Sequence, residues 1–455
     1  MAMERPGGLL ARPPVVVIAG GVLLGGTVVA MSWVAAMVAL MMLSLLALPL
    51  LVSWLGRPLD ELARRRMLQW TIASFFAHLA FGMIITNLSG TFAVLRSDAF
   101  TYHHLAIRMV ESWTSDLPFP RLPAGKEGFY YLLAGLYRVF GPFTAAGLVV
   151  NAAMAAALVP VLTDLTRRLF GVDASRYAGP LIVLMPGVFI WTSQLLKEAA
   201  VLLLIAVAAN AAARMSARMS PSGLIVATAS LALLLTFRGP VALVVAAGVV
   251  TGLVLAKREV FAGLGTALGT LSVMAIIVVA LGVGYEGFQS ATGSDLQQAN
   301  IVRQDLARSA NTGFDHQVDI STTRGAFSYL PVGLFNFVLG PFPWQIQGVG
   351  QLAMGPDVLV WWFLLPSLWR GLTTGFRTKG RAVLVLVLPA LISTVMLALV
   401  IGNFGTVVRE RAQVVVLLVP FIALGLALRA ARSGPAPQEP VPAALATGVT
   451  GAATR

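Results

Sequence analysis

Residues 177–215 read YAGPLIVLMPGVFIWTSQLLKEAAVLLLIAVAANAAARM, and this stretch decides the fold class. It is about twice the ~20 apolar residues that a helix needs to cross a bilayer. Trp191-Thr192-Ser193-Gln194-Leu195-Leu196-Lys197-Glu198 interrupts it near its centre, so two membrane helices joined by a polar break account for it. The same pattern recurs downstream, where the apolar run from Leu224 to Ala256 is broken at Arg238-Gly239-Pro240. Proline there suits the first turn of a new helix. The remainder of the 455 residues is of one kind with these runs, 58% hydrophobic and 11% charged. No run alternates apolar and polar residues as a barrel strand would, so each span must satisfy its backbone polar groups as a helix.

An all-α polytopic membrane protein of about 12 transmembrane helices follows, with spans expected near 15–31, 33–54, 68–94, 143–164, 177–195, 199–215, 223–237, 240–256, 262–284, 356–370, 382–401 and 411–429. Met1 to Pro14, with Arg5 and Arg12, resembles a signal-peptide start, but the apolar stretch from Val15 to Trp54 is too long for such a leader and reads as two spans. The formal charge of +13 is gathered in short clusters between spans: Arg57 with Arg64 to Arg66; Arg167, Arg168 and Arg176; Arg214 and Arg218; Lys257 and Arg258; Arg370, Arg377, Lys379 and Arg381. That is the positive-inside pattern rather than a nucleic-acid footprint, and it places both termini in the cytoplasm. The absence of cysteine excludes disulfides, thiolate metal sites and cysteine nucleophiles.

The organisation expected is a helical membrane domain over 1–432 and a disordered cytoplasmic tail over 433–455, rich in Ala, Pro and Gly. Two outer loops are long. In the first, 95–142, Tyr102, Ala106, Met109 and Trp113 share one helical stripe, and Phe129, Leu132, Leu133, Leu136, Tyr137 and Phe140 share another. Both predict helices lying in the interface plane. The second, 285–328, is polar and mixed in charge, suited to a small cap. After it, Tyr329 to Gly350 contains Pro331, Gly340, Pro341 and Pro343, a pattern expected to break any span and to form a re-entrant segment with Trp344 at the interface.

Few charges remain for chemistry, and they fall at the outer ends of spans. Arg96-Ser97-Asp98-Ala99-Phe100-Thr101-Tyr102-His103-His104 follows the third apolar run; Lys126 and Glu127, Lys197 and Glu198, Arg238, Arg324, and Arg409, Glu410 and Arg411 share that side. Charges flanked by apolar helices face a cavity, a partner or the interface, because mid-bilayer charge costs about 2.5–3.5 kcal/mol on insertion scales. A cavity collecting these helix ends would hold a carboxylate and several cations, which suits an anionic lipid headgroup and a nucleophile that must lose a proton. Simpler readings stand beside these. Asp98 suits a helix cap, Lys197 and Glu198 a helix-turn salt bridge, and Arg238 an interfacial anchor. The adjacent His103 and His104 diverge by about 100° on a helix and make a poor metal pair.

Ser97-Asp98-Ala99 leading into Tyr102-His103-His104 resembles the acidic motif of the GT-C superfamily of integral-membrane glycosyltransferases. Gly125-Lys126-Glu127-Gly128-Phe129-Tyr130-Tyr131, running on to Leu136-Tyr137-Arg138-Val139-Phe140-Gly141, is similar to the juxtamembrane helix of its bacterial dolichyl-phosphate-mannose mannosyltransferase-like branch, also described as glycosyltransferase family 39-like. Pro186 to Glu198, Pro341-Phe342-Pro343-Trp344 and Asn403-Phe404-Gly405-Thr406 leading to Arg409 and Arg411 resemble further patterns of bacterial members, in order across most of 67–430.

The resemblance implies an inverting enzyme that moves a sugar from a polyprenyl-phosphate donor to a glycan, lipid or protein acceptor of the cell envelope, on the outer face of a bacterial plasma membrane. Asp98 would be the general base. Arg409 or Arg411 would bind the donor phosphate, with Lys197 and Arg238 as further phosphate ligands, and Tyr102, His103, His104, Lys126, Glu127 and Glu198 would line the substrate site. A second acidic site residue is common in the family, and Glu127, Glu198, Asp295, Asp305, Asp315 and Asp319 all compete for that place. Some members need a divalent cation and others none. The rival functions are a lipid-linked oligosaccharide polymerase or ligase on the same fold, a polysaccharide or lipid transporter, and a noncatalytic subunit of a polysaccharide assembly complex; transporter sites lie at the bilayer midplane, whereas these charges lie at one side.

Overall fold

The helical reading of the apolar runs carries over directly into the computed structural model of the chain, which describes residues 33–87, 97–123, 125–218, 220–256, 295–309, 312–345 and 354–433. Fourteen α-helices are named along those residues: α1 Trp33–Leu55, α2 Glu61–Asn87, α3 Ser97–Thr114, α4 Glu127–Phe140, α5 Thr144–Phe170, α6 Val172–Leu184, α7 Pro186–Thr192, α8 Glu198–Ala217, α9 Pro221–Ala256, α10 Leu296–Ser309, α11 Thr323–Leu339, α12 Gly355–Lys379, α13 Leu384–Val400 and α14 Phe404–Ser433. Among the described residues, seven segments are long and apolar enough to cross a membrane, or eight with the bent pair α6 and α7, and α12 runs on into α13 as one of them. The chain is an all-α polytopic membrane protein. The expected spans at 15–31 and 262–284 and the tail beyond Ser433 lie outside the described residues.

Helix α5 is the axis of the bundle, packed by α2, α6, α8 and α1 and buried along most of its length. Its alanines, Ala152, Ala155 and Ala156 among them, let neighbouring helices approach closely, which is how helices associate where lipid offers no hydrophobic drive. The α9–α13 crossing uses the same device. A Cβ built at Gly252 would stand 2.7 Å from Val385 Cα, and one at Gly248 would strike the Pro389 backbone. Gly380 ends α12 at φ +54, a left-handed turn that glycine adopts without strain, and a 3-10 turn over Gly380–Val383 then leads into α13.

Three sequence expectations are corrected. Helix α2 begins at Glu61, not near 68, because the Asp60 Oδ1 accepts the Ala63 amide at 2.6 Å and Glu61 pairs with Arg64 and Arg65. These polar residues extend the helix into the connecting turn. Pro331 does not break the segment after the second loop. Helix α11 runs through it to Leu339, and only Gly340 and a cis Gly340–Pro341 bond end the helix, with Trp344 exposed beyond. The apolar region before Trp191 carries an unforeseen bend of 59° between α6 and α7. Pro186 holds Met185 in an extended conformation at φ −78, ψ 111, as a residue before proline tends to be.

Both predicted breaks are real. Residues 193–197 separate α7 from α8, and α9 is interrupted at Arg238, whose φ −163, ψ 81 is not helical. The loop helices α3 and α4 pack on each other: Tyr102 of the first predicted stripe lies 4.9 Å from the ring centroid of Phe129 of the second and 4.9 Å from that of Tyr130, which neither stripe included, while Trp113 of the first stripe stays exposed. Their apolar faces are thus largely spent on mutual packing, and Phe100, Trp113, Phe119 and Tyr131 remain exposed.

Candidate functional site

A broken membrane helix frees backbone carbonyls that must find donors inside the protein. Buried Asn151 on α5 donates to the carbonyls of Gln194 at 2.6 Å and Leu196 at 2.7 Å, tying down the first break. Pro240 and the turned Arg238 backbone interrupt the α9 ladder, and the Lys197 ammonium donates to the Phe237 carbonyl there at 2.9 Å. The two breaks, read separately in the sequence, are therefore joined by one side chain. Lys197 is buried, and its ammonium already holds this carbonyl.

The joined breaks present Glu198 and Arg238 to the first turns of α14. The Arg409 Nε donates to Glu198 Oε1 at 2.6 Å, and its Nη1 donates to Asp98 Oδ2 at 2.7 Å. Arg238 pairs with Glu410, which also accepts from Gln413, and its other guanidinium nitrogen lies 3.7 Å from Glu198. The Trp191 ring lies beneath Arg409, 5.5 Å from the guanidinium carbon. Five charged residues from four distant segments thus form one continuous network. Of the competing acidic residues, Glu198 is the one that shares an arginine with Asp98, while Glu127 accepts the Gly125 amide at 2.6 Å and Asp315 accepts from Tyr329 and Asn336.

The network is graded in exposure. Glu198 and Glu410 are sealed, the Arg409 side chain is 15% exposed, and the Asp98 side chain, in the first turn of α3, is 54% exposed. Asp98 is its accessible carboxylate. Partial burial acts to raise its pKa, but the Arg409 charge and hydrogen bond, with Lys126 and Lys197 adding to them, hold it below the ordinary carboxylate value. The elevation that burial alone would give is thus reversed by the neighbouring cations, Arg409 first among them. Tyr130 beside it is pushed up to about 12 by burial and by the Asp98 charge, so it stays a neutral hydroxyl.

Other sequence-predicted residues are placed as follows. Tyr102 is buried between α3 and α4, and burial raises its pKa. His103 bonds the Tyr137 hydroxyl at 2.8 Å, and burial followed by the neighbouring His104 lowers its pKa; exposed His104 packs on Phe100. Lys126 is exposed at the start of α4. Arg411 points away from the network. It is buried, donates to the carbonyls of Phe337 at 3.0 Å and of Gly340, and lies 3.9 Å from Asp357. Arg409 and Arg411, two apart on a helix, are thus divided between the cluster and the end of α11.

Sequence reasoning did not single out Arg303. It is fully buried, bonds Tyr329 Oη and the Ile401 carbonyl, and fastens the second loop to the end of α13. A polar loop gives no sign of a buried cation; the nearby Tyr329 and Phe314, which the guanidinium faces at 4.1 and 5.7 Å, are its only hint. Asp98, Glu198 and Glu410 are each engaged by an arginine, and among the described residues no three His, Asp or Glu side chains converge as metal ligands.

No protein-family model matches the sequence, and no curated protein does. Solved structures do. The archaeal oligosaccharyltransferase AglB from Archaeoglobus fulgidus, in complex with an inhibitory peptide and a dolichol-phosphate, aligns over 80% of this chain with a TM-score of 0.52 and 14% identity. The same oligosaccharyltransferase tethered to an acceptor peptide aligns at 0.51, again with 14% identity and 80% coverage. ArnT from Cupriavidus metallidurans bound to undecaprenyl phosphate aligns over 80% of this chain and 59% of its own, at 0.49 and 15% identity. This chain spans half the length of AglB in both comparisons. The shared architecture gives this chain a helical membrane fold like that of AglB.

Proposed function

We propose that the chain is an inverting membrane glycosyltransferase that moves a sugar from a polyprenyl-phosphate donor to a cell-envelope acceptor, on the outer face of a bacterial plasma membrane. The observation that carries this reading is the Asp98–Arg409–Glu198 network, an accessible carboxylate and a guanidinium in contact where broken spans meet the first outer loop. The fold likeness to AglB, a protein seen with dolichol-phosphate and a peptide, supports it.

The chemistry asks two things of such a site. The acceptor hydroxyl must lose its proton, and the departing lipid phosphate must be stabilised as charge gathers on it. Asp98, ionised at neutral pH, is too weak a base to deprotonate an alcohol in advance. The proton therefore passes to its carboxylate as the acceptor oxygen bonds the anomeric carbon from the face opposite the phosphate. The anomeric carbon–phosphate oxygen bond breaks, and its electron pair leaves with polyprenyl phosphate. Arg409, held on its far side by Glu198 and supported by Trp191, is preorganised to meet that charge, and a guanidinium fork matches phosphate oxygens bidentately. The incoming phosphate replaces Asp98 as its partner, which frees the carboxylate for the acceptor.

The test is purified protein incubated with polyprenyl-monophosphate sugars and an envelope-lipid acceptor extract, with released polyprenyl phosphate measured by mass spectrometry. Release that depends on acceptor is expected. Turnover of pyrophosphate-linked oligosaccharide alone would replace this reading with a polymerase or ligase, and binding without bond cleavage would replace it with a transporter.

A further inference from the structure

At the other end of α8 from Glu198 lies a second charged site. Arg214 is sixteen residues along the helix, hence about 24 Å away at 1.5 Å per residue. Here α5 and α8 end and α9 begins, around a cavity of about 670 Å³ lined by Arg167, Arg168, Arg214, Arg218 and Ser220. One carboxylate organises it. Asp164 is fully buried and takes Arg167 Nη2 at 2.8 Å, Arg168 Nε at 2.7 Å and Arg214 Nη2 at 3.4 Å, while Asn210 donates to it at 3.1 Å. The Arg214 guanidinium also lies 5.8 Å from the centre of the half-exposed Trp54 ring. Arg218 follows the end of α8, exposed, and none of the described carboxylates pairs with it.

These arginines are in part explained by the helix ends they occupy, since cations favour helix C-termini. The charge does not balance on that account. Four guanidiniums face one carboxylate and two C-terminal ends of about half a negative charge each, while the start of α9 returns about half a positive charge. A net excess of about two and a half positive charges is left in one concavity. Its guanidiniums also carry many more N–H donors than the two oxygens of Asp164 accept. Arg167, Arg168 and Arg214, held in place by Asp164 and, for Arg214, by Trp54, form a rigid multi-donor cradle with exposed Arg218 at its edge, rather than a diffuse basic surface.

We propose that this cavity binds a phosphate group, of the chemistry carried by an anionic phospholipid headgroup and equally by free inorganic phosphate. The site is distinct from the Asp98 network and requires no particular reading of it. Asp164 orients three guanidiniums toward the phosphate oxygens, and Arg218 closes the fourth side.

Native mass spectrometry of the full chain in detergent tests this with phosphatidylglycerol, phosphatidylcholine and inorganic phosphate as separate probes. Wild type should bind phosphatidylglycerol saturably and in preference to phosphatidylcholine, and Arg218→Gln, which breaks no described contact, should weaken that binding about fivefold. Arg377→Gln, on an exposed arginine outside the cavity, should leave it unchanged. If inorganic phosphate binds with the same Arg218 dependence and displaces the lipid, the phosphate chemistry is upheld and the natural ligand is a soluble one. Equal lipid binding by wild type and Arg218→Gln, or equal loss in Arg218→Gln and Arg377→Gln, overturns the proposal.

Discussion

Asp98 and Arg409 are 311 positions apart and in direct contact, and most of what is testable at the residue scale follows from that pairing. If Asp98 takes the acceptor proton, Asp98→Asn should lower sugar transfer about 10²- to 10⁴-fold, the usual span for a positioned acid–base group. Its side chain is half exposed, so thermal unfolding should move little; full retained activity would remove it as the base. Its titration has a definite sign. Burial pushes the pKa up and Arg409, joined by Lys126 and Lys197, more than cancels that, so carboxyl-labelled NMR should show Asp98 titrating below the ordinary value near 3.9 in wild type and above its wild-type value in Arg409→Gln. An unmoved titration would show that Arg409 does not govern this carboxylate. Arg411→Ala should act differently. It strips two carbonyls of their donor and leaves the buried Asp357 carboxylate without its cation, a loss of about 3–5 kcal/mol that a melting curve in detergent would register. The sequence already places the two arginines on opposing sides of a helix, because two residues span about 200°. Which of them meets Asp98 depends on the rotation of α14 in the bundle, and no local pattern encodes that.

Among the elements, the helix breaks were the most legible. Polar residues and a proline inside double-length apolar runs have no other economical reading, and both interruptions occur where the sequence puts them. Their meeting was not legible. Lys197 reads as a candidate anion ligand until the Phe237 carbonyl, freed by the second break, is seen to take its ammonium. Proline content misleads elsewhere in both directions: Pro331 lies within α11, while Pro186 bends α6 away from α7 because the residue before it is forced to extend. Close packing of α9 on α13 rests on Gly248 and Gly252, so Gly252→Leu should push the helices apart and lower the melting temperature, whereas Gly135→Ala on α4, where a methyl meets open space, should not. Comparable melting of the two variants would mean that the α9–α13 crossing tolerates separation.

For the molecule as a whole, the positive-inside pattern predicts an orientation, and the absence of cysteine makes it simple to measure. Single cysteines at exposed Asp116, after α3, and at exposed Arg377, near the end of α12, should react with a membrane-impermeant maleimide in intact cells at the first position alone. The reverse result would invert the protein and place the Asp98 network in the cytoplasm. Composition was enough to establish a helical bundle because no other structure of this chain hides its backbone from lipid. The arrangement of that bundle depends on long-range polar contacts such as Asn151 to the first break and Arg303 to the end of α13, each made by a residue that is unremarked in its own sequence neighbourhood. The bend before α7 extends the same logic to relatives of this chain. It leaves the Gly187 amide free to be taken by Asp357 Oδ1 at 2.7 Å, so close that a Cβ at 187 would stand 2.6 Å from that same oxygen. Positions 187 and 357, 170 residues apart, should therefore change together in descent: a lineage that gains a side chain at the first should have shortened or lost the carboxylate at the second.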